Sequence, residues 1–270
     1  MELNEFRLFS CAQCGSWCSD AGWRNVAASF TPLNYFANDD ADRDKWRDLD
    51  HWIERAGRQL HSVLDVGCGT GAYLAHLRAS RPEAGRAGIE LDPDRAERAR
   101  RADPGAIVHT GDACEVLERE TDCFDLITLW DVFEHVPAPA RLLRALSARL
   151  SAKGCVFIQT INEQSVVPAL GRLSYRLSGG NFRGAVRRTH DAHHLVFFTR
   201  AGLEVLAERS GLRIVEHWFD HLALERMDGG RLLTTLTAAL LAVERALGNG
   251  LFINLVLEPS PGKNDPDPCR

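Results

Sequence analysis

The strongest constraint on this chain is a rhythm of short apolar runs. Residues 62–66, 87–90, 106–109, 124–130, 155–160, 212–218 and 252–257 each carry few polar breaks. Runs that are apolar on both faces belong to strands covered on both faces, so the sheet is expected to be mainly parallel with helices on each side. The intervening stretches supply those helices. Residues 42–56 repeat Trp46, Leu49, Ile53 and Ala56 at spacings of three and four, which predicts an amphipathic helix. Asp92 as N-cap and Pro93 at the first helical position open another. A helix over 141–150 is expected to end at Gly154, and Thr199 caps one that runs to Ser210 and stops at Gly211. An apolar helix over 231–247 separates the last two strands, where a short turn would suffice. It could pack on the sheet, form a homodimer contact or touch a membrane surface.

The 270 residues are expected to divide into four parts. Residues 1–22 form an irregular segment bearing cysteines, and 23–60 a helical cap rich in aromatics. Residues 61–258 form the α/β domain, with a lid insertion at about 165–195, and 259–270 form a proline-rich tail expected to be disordered. With 45% hydrophobic and 26% charged residues the composition is that of a globular protein. The net charge of -5 argues against a general nucleic-acid binder. No run of 18 apolar residues is present, so no transmembrane segment is expected. The opening MELNEFRLFSCAQCG lacks the apolar core of a secretory signal. A cytoplasmic setting follows, in which the eight cysteines are thiols or metal ligands rather than disulfides.

The first apolar run ends in a glycine loop, Gly67-Cys68-Gly69-Thr70-Gly71, which leads into a helix. Glycines allow a sharp turn and close approach of a ligand to the main chain, and the helix start offers free N–H groups. Glu90 ends the second strand, where a carboxylate can accept from ribose hydroxyls. The spacing is not the dinucleotide G-x-G-x-x-G, and no phosphate-cradling GxxxxGK[ST] is present.

LDVGCGTG, followed by IELDP, GDA and FDLITLWDVFEHV, resembles the class I S-adenosylmethionine (SAM) dependent methyltransferases. The likeness is greatest to the small-molecule branch, which includes quinone-biosynthesis O-methyltransferases and sugar methyltransferases, and it spans about residues 60–258. It implies a three-layer Rossmann-like sandwich with seven strands, the last antiparallel, plus an N-terminal extension. It also implies SAM as cofactor and a small-molecule substrate. Asp65 and the loop residues Gly67, Cys68, Gly69 and Gly71 would surround the methionine part. Glu90 would bind the ribose and Leu91 would lie near the adenine. Asp112 and Ala113 would face the adenine amino edge, with Leu129 and Trp130 beside the sulfonium. A fold that uses SAM without methyl transfer, or a non-catalytic SAM-binding module, stays open.

Two further clusters bear on chemistry. Asp131, Glu134 and His135 share one face of a helical turn, and His190, Asp191, His193 and His194 follow later. His135, His193 or His194 could serve as general base, since an imidazole titrates near neutrality. Asp131, Glu134, His135 and His193 could alternatively hold a divalent metal. Five arginines, 172, 176, 183, 187 and 188, lie between Leu170 and His190 with no acidic residue among them. Arg187 and Arg188, with Tyr35 of the cap, are the substrate candidates, and guanidinium forks favour an anionic substrate. Finally, Cys11-x2-Cys14-Gly15-x2-Cys18 has the turn of a zinc site but one ligand fewer than a closed tetrahedral set needs.

Overall fold

Alternating side chains along the apolar runs feed two separate cores, and this builds three layers. The computed structural model describes residues 1–3, 6–20, 39–190, 193–221 and 231–261. Its main sheet comprises β4 (Ser62–Val66), β5 (Gly85–Glu90), β6 (Ile107–Thr110), β7 (Phe124–Trp130), β8 (Leu150–Ile161), β10 (Leu212–Asp220) and β11 (Phe252–Pro259). Their order is β10-β11-β8-β7-β4-β5-β6. Every pairing from β8 to β6 is parallel, and β11 runs antiparallel to both β8 and β10. The last strand is therefore the reversed one, as the resemblance implies.

On one face, Leu126, Cys155, Phe157 and Val256 meet α1 (Asp39–Arg55) and α2 (Ala72–Ser80) through Trp46, Leu49, Trp52, Ile53, Tyr73 and Leu77. On the other, Ile127, Leu129, Val156, Ile158 and Leu255 meet α4 (Ala113–Arg119), α5 (Pro139–Ser147) and α8 (Arg200–Arg209). Neighbours such as Leu126 and Ile127 point to opposite cores because a strand's side chains alternate. Burying one such side chain stabilises the fold by roughly 1.5–3 kcal/mol. The helix α3 (Pro93–Ala102) starts as its sequence predicts, with Asp92 Oδ1 accepting from the amides of Asp94 and Arg95 at 2.8 and 3.1 Å. Thr199 caps α8 by accepting from Gly202 N at 3.1 Å.

Several expectations change. The helix before β8 ends at Ser147, and Gly154 lies inside the strand. Phe124 pairs with Leu150 but Leu126 with Cys155, so residues 151–154 bulge out. A Cβ at Gly154 would fall 2.6 Å from the Phe124 carbonyl, so close approach, rather than a helix stop, selects glycine there. The N-terminal segment is not irregular. There, β1 (Glu2–Leu3), β2 (Phe6–Ser10) and β3 (Trp17–Ser19) form a second sheet completed by β9 (Val196–Phe197). Cys11, Cys14, Cys18, Cys68, Cys114 and Cys155 are free, whereas Cys123 is disulfide-bonded. The insertion before β11 is α9 (Arg231–Ala246), and it packs on the body of the fold. Its fully buried Glu244 bonds to the Ser165 hydroxyl and accepts from Val166 N at 2.7 Å, at the start of α6 (Val166–Leu177). Among the described residues no helix is long and apolar enough to cross a membrane. Trp23, Tyr35, Phe36 and the tail from 262 on lie outside the described residues.

Candidate active site

The carboxyl ends of β4, β5 and β7 bring together most of the cofactor candidates. After β4 the chain turns through Gly67, Gly69 and Gly71 at φ +72, +56 and +84°, the left-handed region that glycine enters without a Cβ penalty. A Cβ at Gly71 would also stand 2.7 Å from Ala99 Cα, so this glycine lets α2 and α3 approach. Glu90 is nearly buried at the end of β5. It accepts from Gly69 N through Oε2 at 2.8 Å and from Asp92 N through Oε1 at 3.0 Å. Each carboxylate oxygen has a second lone pair, so the group that shapes the loop keeps acceptor capacity. Leu91 next to it is 45% exposed, a large apolar side chain on the open edge.

Asp65 is 2% exposed and accepts from the Thr128 hydroxyl at 2.7 Å. Burial raises its carboxyl to about 7, with the Glu90 charge adding to the rise. Burial likewise pushes the Cys68 thiol far up, so this loop cysteine is a small packed side chain and no nucleophile. Asp112 caps α4 by accepting from Glu115 N at 3.1 Å, and Ala113 is that helix's first residue. Trp130 closes β7 edge-on to Tyr73, ring centroids 5.2 Å apart. The Leu129 side chain is fully buried in the opposite core, so only its backbone reaches this edge.

Beyond Trp130 lies the second cluster. Phe133, Glu134 and His135 form one 3₁₀ turn. Glu134 is 1% exposed and accepts from the Thr160 hydroxyl at 2.8 Å, and burial raises its carboxyl to about 7. His135 Nδ1 donates to the His193 carbonyl at 2.9 Å, which leaves Nε2 as its second nitrogen. Donor atoms of Glu134, His135 and His194 all lie within 4.8 Å of one another. His194 takes the place expected for His193, whose side chain is exposed.

Asp131 does not join that group. It is the one non-glycine residue at positive φ (+53°) among the described residues, and Lys45 of α1 stands 3.3 Å from its Oδ2. Lys45 also donates to Gln159 Oε1 at 2.7 Å. No local pattern points to Lys45, because its partners lie 86 and 114 residues away. His190 is likewise not on the open edge. It is fully buried, with Nε2 3.1 Å from Glu163 Oε2, and Glu163 also pairs with Arg172. One of the five lid arginines is thus already bound to an internal carboxylate. Arg187 and Arg188 lie on α7 (Gly184–Thr189), their side chains outside the described set, as is the whole of Tyr35.

Comparison with known proteins places this geometry. A family model described as a methyltransferase domain matches residues 40–217. The ubiquinone biosynthesis O-methyltransferase of Neisseria meningitidis serogroup C is 37% identical over 120 residues, 43% of this chain and 50% of that one. The mitochondrial ubiquinone biosynthesis O-methyltransferase of Saccharomyces cerevisiae is 36% identical over 109 residues, 39% of this chain and 35% of that one. The chain spans about half the length or less of these curated relatives. Among solved structures, a SAM-dependent methyltransferase from Archaeoglobus fulgidus superposes with TM-score 0.57 at 16% identity, covering 84% of this chain and 99% of that one. The plantazolicin methyltransferase BamL, solved with a triazolic desmethylPZN analogue and S-adenosylhomocysteine (SAH), gives 0.56 at 14% identity, covering 88% of each chain. The glycine loop, the carboxylate after β5 and the match over about two thirds of the sequence lead to one conclusion: the chain belongs to the methyltransferase-domain family.

Proposed function

We propose that the protein transfers the methyl group of SAM to an oxygen, nitrogen or carbon nucleophile of a small anionic metabolite in the cytoplasm. Oxygen is the favoured acceptor atom, because the curated relatives are O-methyltransferases. The observation that carries the reading is Glu90, whose carboxylate is locked by two backbone amides at the open sheet edge with lone pairs to spare. SAM, when bound, supplies a methyl group activated on a sulfonium. Asp65 and the loop residues Gly67, Cys68, Gly69 and Gly71 would surround its amino-acid end, the loop amides themselves being bonded within the fold. Glu90 takes the ribose hydroxyls, Leu91 covers the adenine, and Asp112 with the Ala113 amide meets the adenine amino edge. Trp130 and the Leu129 backbone wall the reacting centre.

His135 or His194 accepts the proton of an acceptor hydroxyl, with Glu134 buried behind them. The same three side chains also suit a divalent cation, since two imidazoles and one carboxylate gather within 4.8 Å. Asp131, bound to Lys45, has no part in that set. The lid carries Arg187 and Arg188 for an anionic group. Melting curves test the cofactor: SAH must raise Tm, as any ligand of the folded state does, and no shift defeats the reading. A substrate screen with labelled SAM, run with and without EDTA, then separates base from metal. With an acceptor in hand, replacing Arg187 and Arg188 together must raise KM; an unchanged KM removes the anionic-substrate claim.

A further inference from the structure

The helix α6 turns its apolar side outward. Leu170, Leu173 and Leu177, at spacings of three and four, fall on one stripe, where they are 42, 49 and 79% exposed. The opposite face is the buried one. It holds Pro168 and Gly171, with Tyr175 packed against the small core of Phe6, Leu8, Val186 and Phe197. A helix of a globular protein ordinarily does the reverse and sets its apolar stripe on the core. Beyond the end of α6, Phe182 is also exposed, its amide donating to Ser178 Oγ at 2.8 Å. The end of α9 repeats the inversion, with Glu244 fully buried while Val243 and Leu247 face solvent. Glu244 accepts from Val166 N, so this part of α9 is fixed to the start of α6. Six of the nine large apolar side chains that the described surface exposes thus lie on two joined helices rather than scattered singly.

The charge around them has one sign. Residues 165–190 contain five arginines and no acidic residue. Arg176 is exposed beside Leu173 and Leu177, and Arg245 is exposed on α9. The two carboxylates bonded to these helices, Glu163 and Glu244, are buried and engaged, the first with Arg172 and His190, the second with Ser165 and Val166. We propose that α6, Phe182 and the end of α9 form a docking surface for an anionic phospholipid bilayer. The leucines and Phe182 enter the acyl boundary, and the arginines meet the phosphate headgroups. A second copy of the chain fits this face less well, because a two-fold contact would bring two cationic patches together. With 12 and 16 residues, α6 and α9 are shorter than the roughly 20 residues of a spanning helix, so they lie on the bilayer surface.

Only residues 162–165 separate α6 from the end of β8. Docking therefore anchors the molecule at the carboxyl edge of the main sheet, the edge that carries the cofactor candidates. The proposal does not rest on the methyltransferase reading, because vesicle binding is measured without SAM or an acceptor.

The test sediments the full-length protein with vesicles of phosphatidylcholine containing phosphatidylglycerol, and with vesicles of phosphatidylcholine alone. The protein should bind the mixed vesicles, and the neutral ones at least about tenfold more weakly. Added salt should weaken the binding, because it screens the headgroup charge. Arg176→Gln should cost about fivefold in affinity, the share of one basic side chain near an anionic surface. Leu173→Glu/Leu177→Glu should cost at least about tenfold while its Tm matches the wild type, since both side chains already face solvent. Leu173→Ser/Leu177→Ser adds no charge and should lose binding too, which separates apolar contact from repulsion by the headgroups. Failure of the wild type to sediment with the mixed vesicles overturns the proposal. So does binding that both leucine variants leave unchanged. A concentration-dependent dimer in analytical ultracentrifugation that the leucine variants dissolve also overturns it, because the face then belongs to a second copy.

Discussion

Replacing Asp65 by Asn should stabilise the ligand-free protein, and by an amount that depends on pH. Asp65 is 2% exposed, and burial raises its carboxyl from 3.8 to about 7. That is about three decades in the ionisation constant, at about 1.4 kcal/mol each, so on the order of 4 kcal/mol. Below pH 3.8 both folded and unfolded chains hold the proton, and the stability contribution is intact. Between 3.8 and about 7 only the unfolded chain ionises, so stability falls as pH rises; above 7 both are ionised and the loss is complete. Asn cannot ionise, and its carbonyl can still accept from the Thr128 hydroxyl. The variant should therefore exceed the wild type by up to about 4 kcal/mol at pH 8, about 2 kcal/mol at pH 5.5 and almost nothing at pH 4. At about 2–4 °C per kcal/mol the gap at pH 8 is about 10 °C in Tm. Scanning fluorimetry of both proteins at the three pH values measures it. The variant should also lose the SAH-induced rise in Tm, because the ammonium group loses its counter-charge. An equal gap at pH 4 and pH 8, or no gain at pH 8, would refute the reasoning.

Three other outcomes follow. Gly71→Ala should cost about 3 kcal/mol in urea unfolding, because a left-handed alanine is strained and its Cβ would meet the Ala99 backbone. Gly69→Ala, with open space around its Cβ, should cost only about 1 kcal/mol, and equal losses would count against the packing argument. Asp131→Asn should destabilise by about 1–3 kcal/mol, since it leaves Lys45, 11% exposed, without its carboxylate, and adding Lys45→Met should recover most of the loss in a double-mutant cycle. Glu134→Gln should gain on the wild type as pH rises from 4.5 towards 7, the window between the carboxyl's ordinary value and its raised one; denaturant midpoints at pH 4.5 and 8 that move in parallel would contradict that.

Much of the fold was legible before any coordinate. Each run in the main sheet is apolar at adjacent positions, as Leu126 and Ile127 show, and only a strand covered on both faces needs that. Asp92, Pro93 and Thr199 carry their capping chemistry in residue type alone. Gly154 misled because close approach to a carbonyl and a helix stop both select glycine. The N-terminal strands were missed because their local pattern has no alternation long enough to read, and their sheet is completed only where β3 pairs with β9, far along the chain.

The sequence by itself determined the layered sheet, the glycine loop and Glu90, because they depend on backbone geometry and on spacing within one βαβ unit. Tertiary structure decided the rest. It chose His194 over His193, bound Asp131 to Lys45, buried His190 against Glu163 and pointed Leu129 away from the reacting edge. These are contacts between side chains that meet only once the helices have packed, and whose energies depend on burial and local dielectric. No spacing along the chain encodes which of two adjacent histidines turns inward.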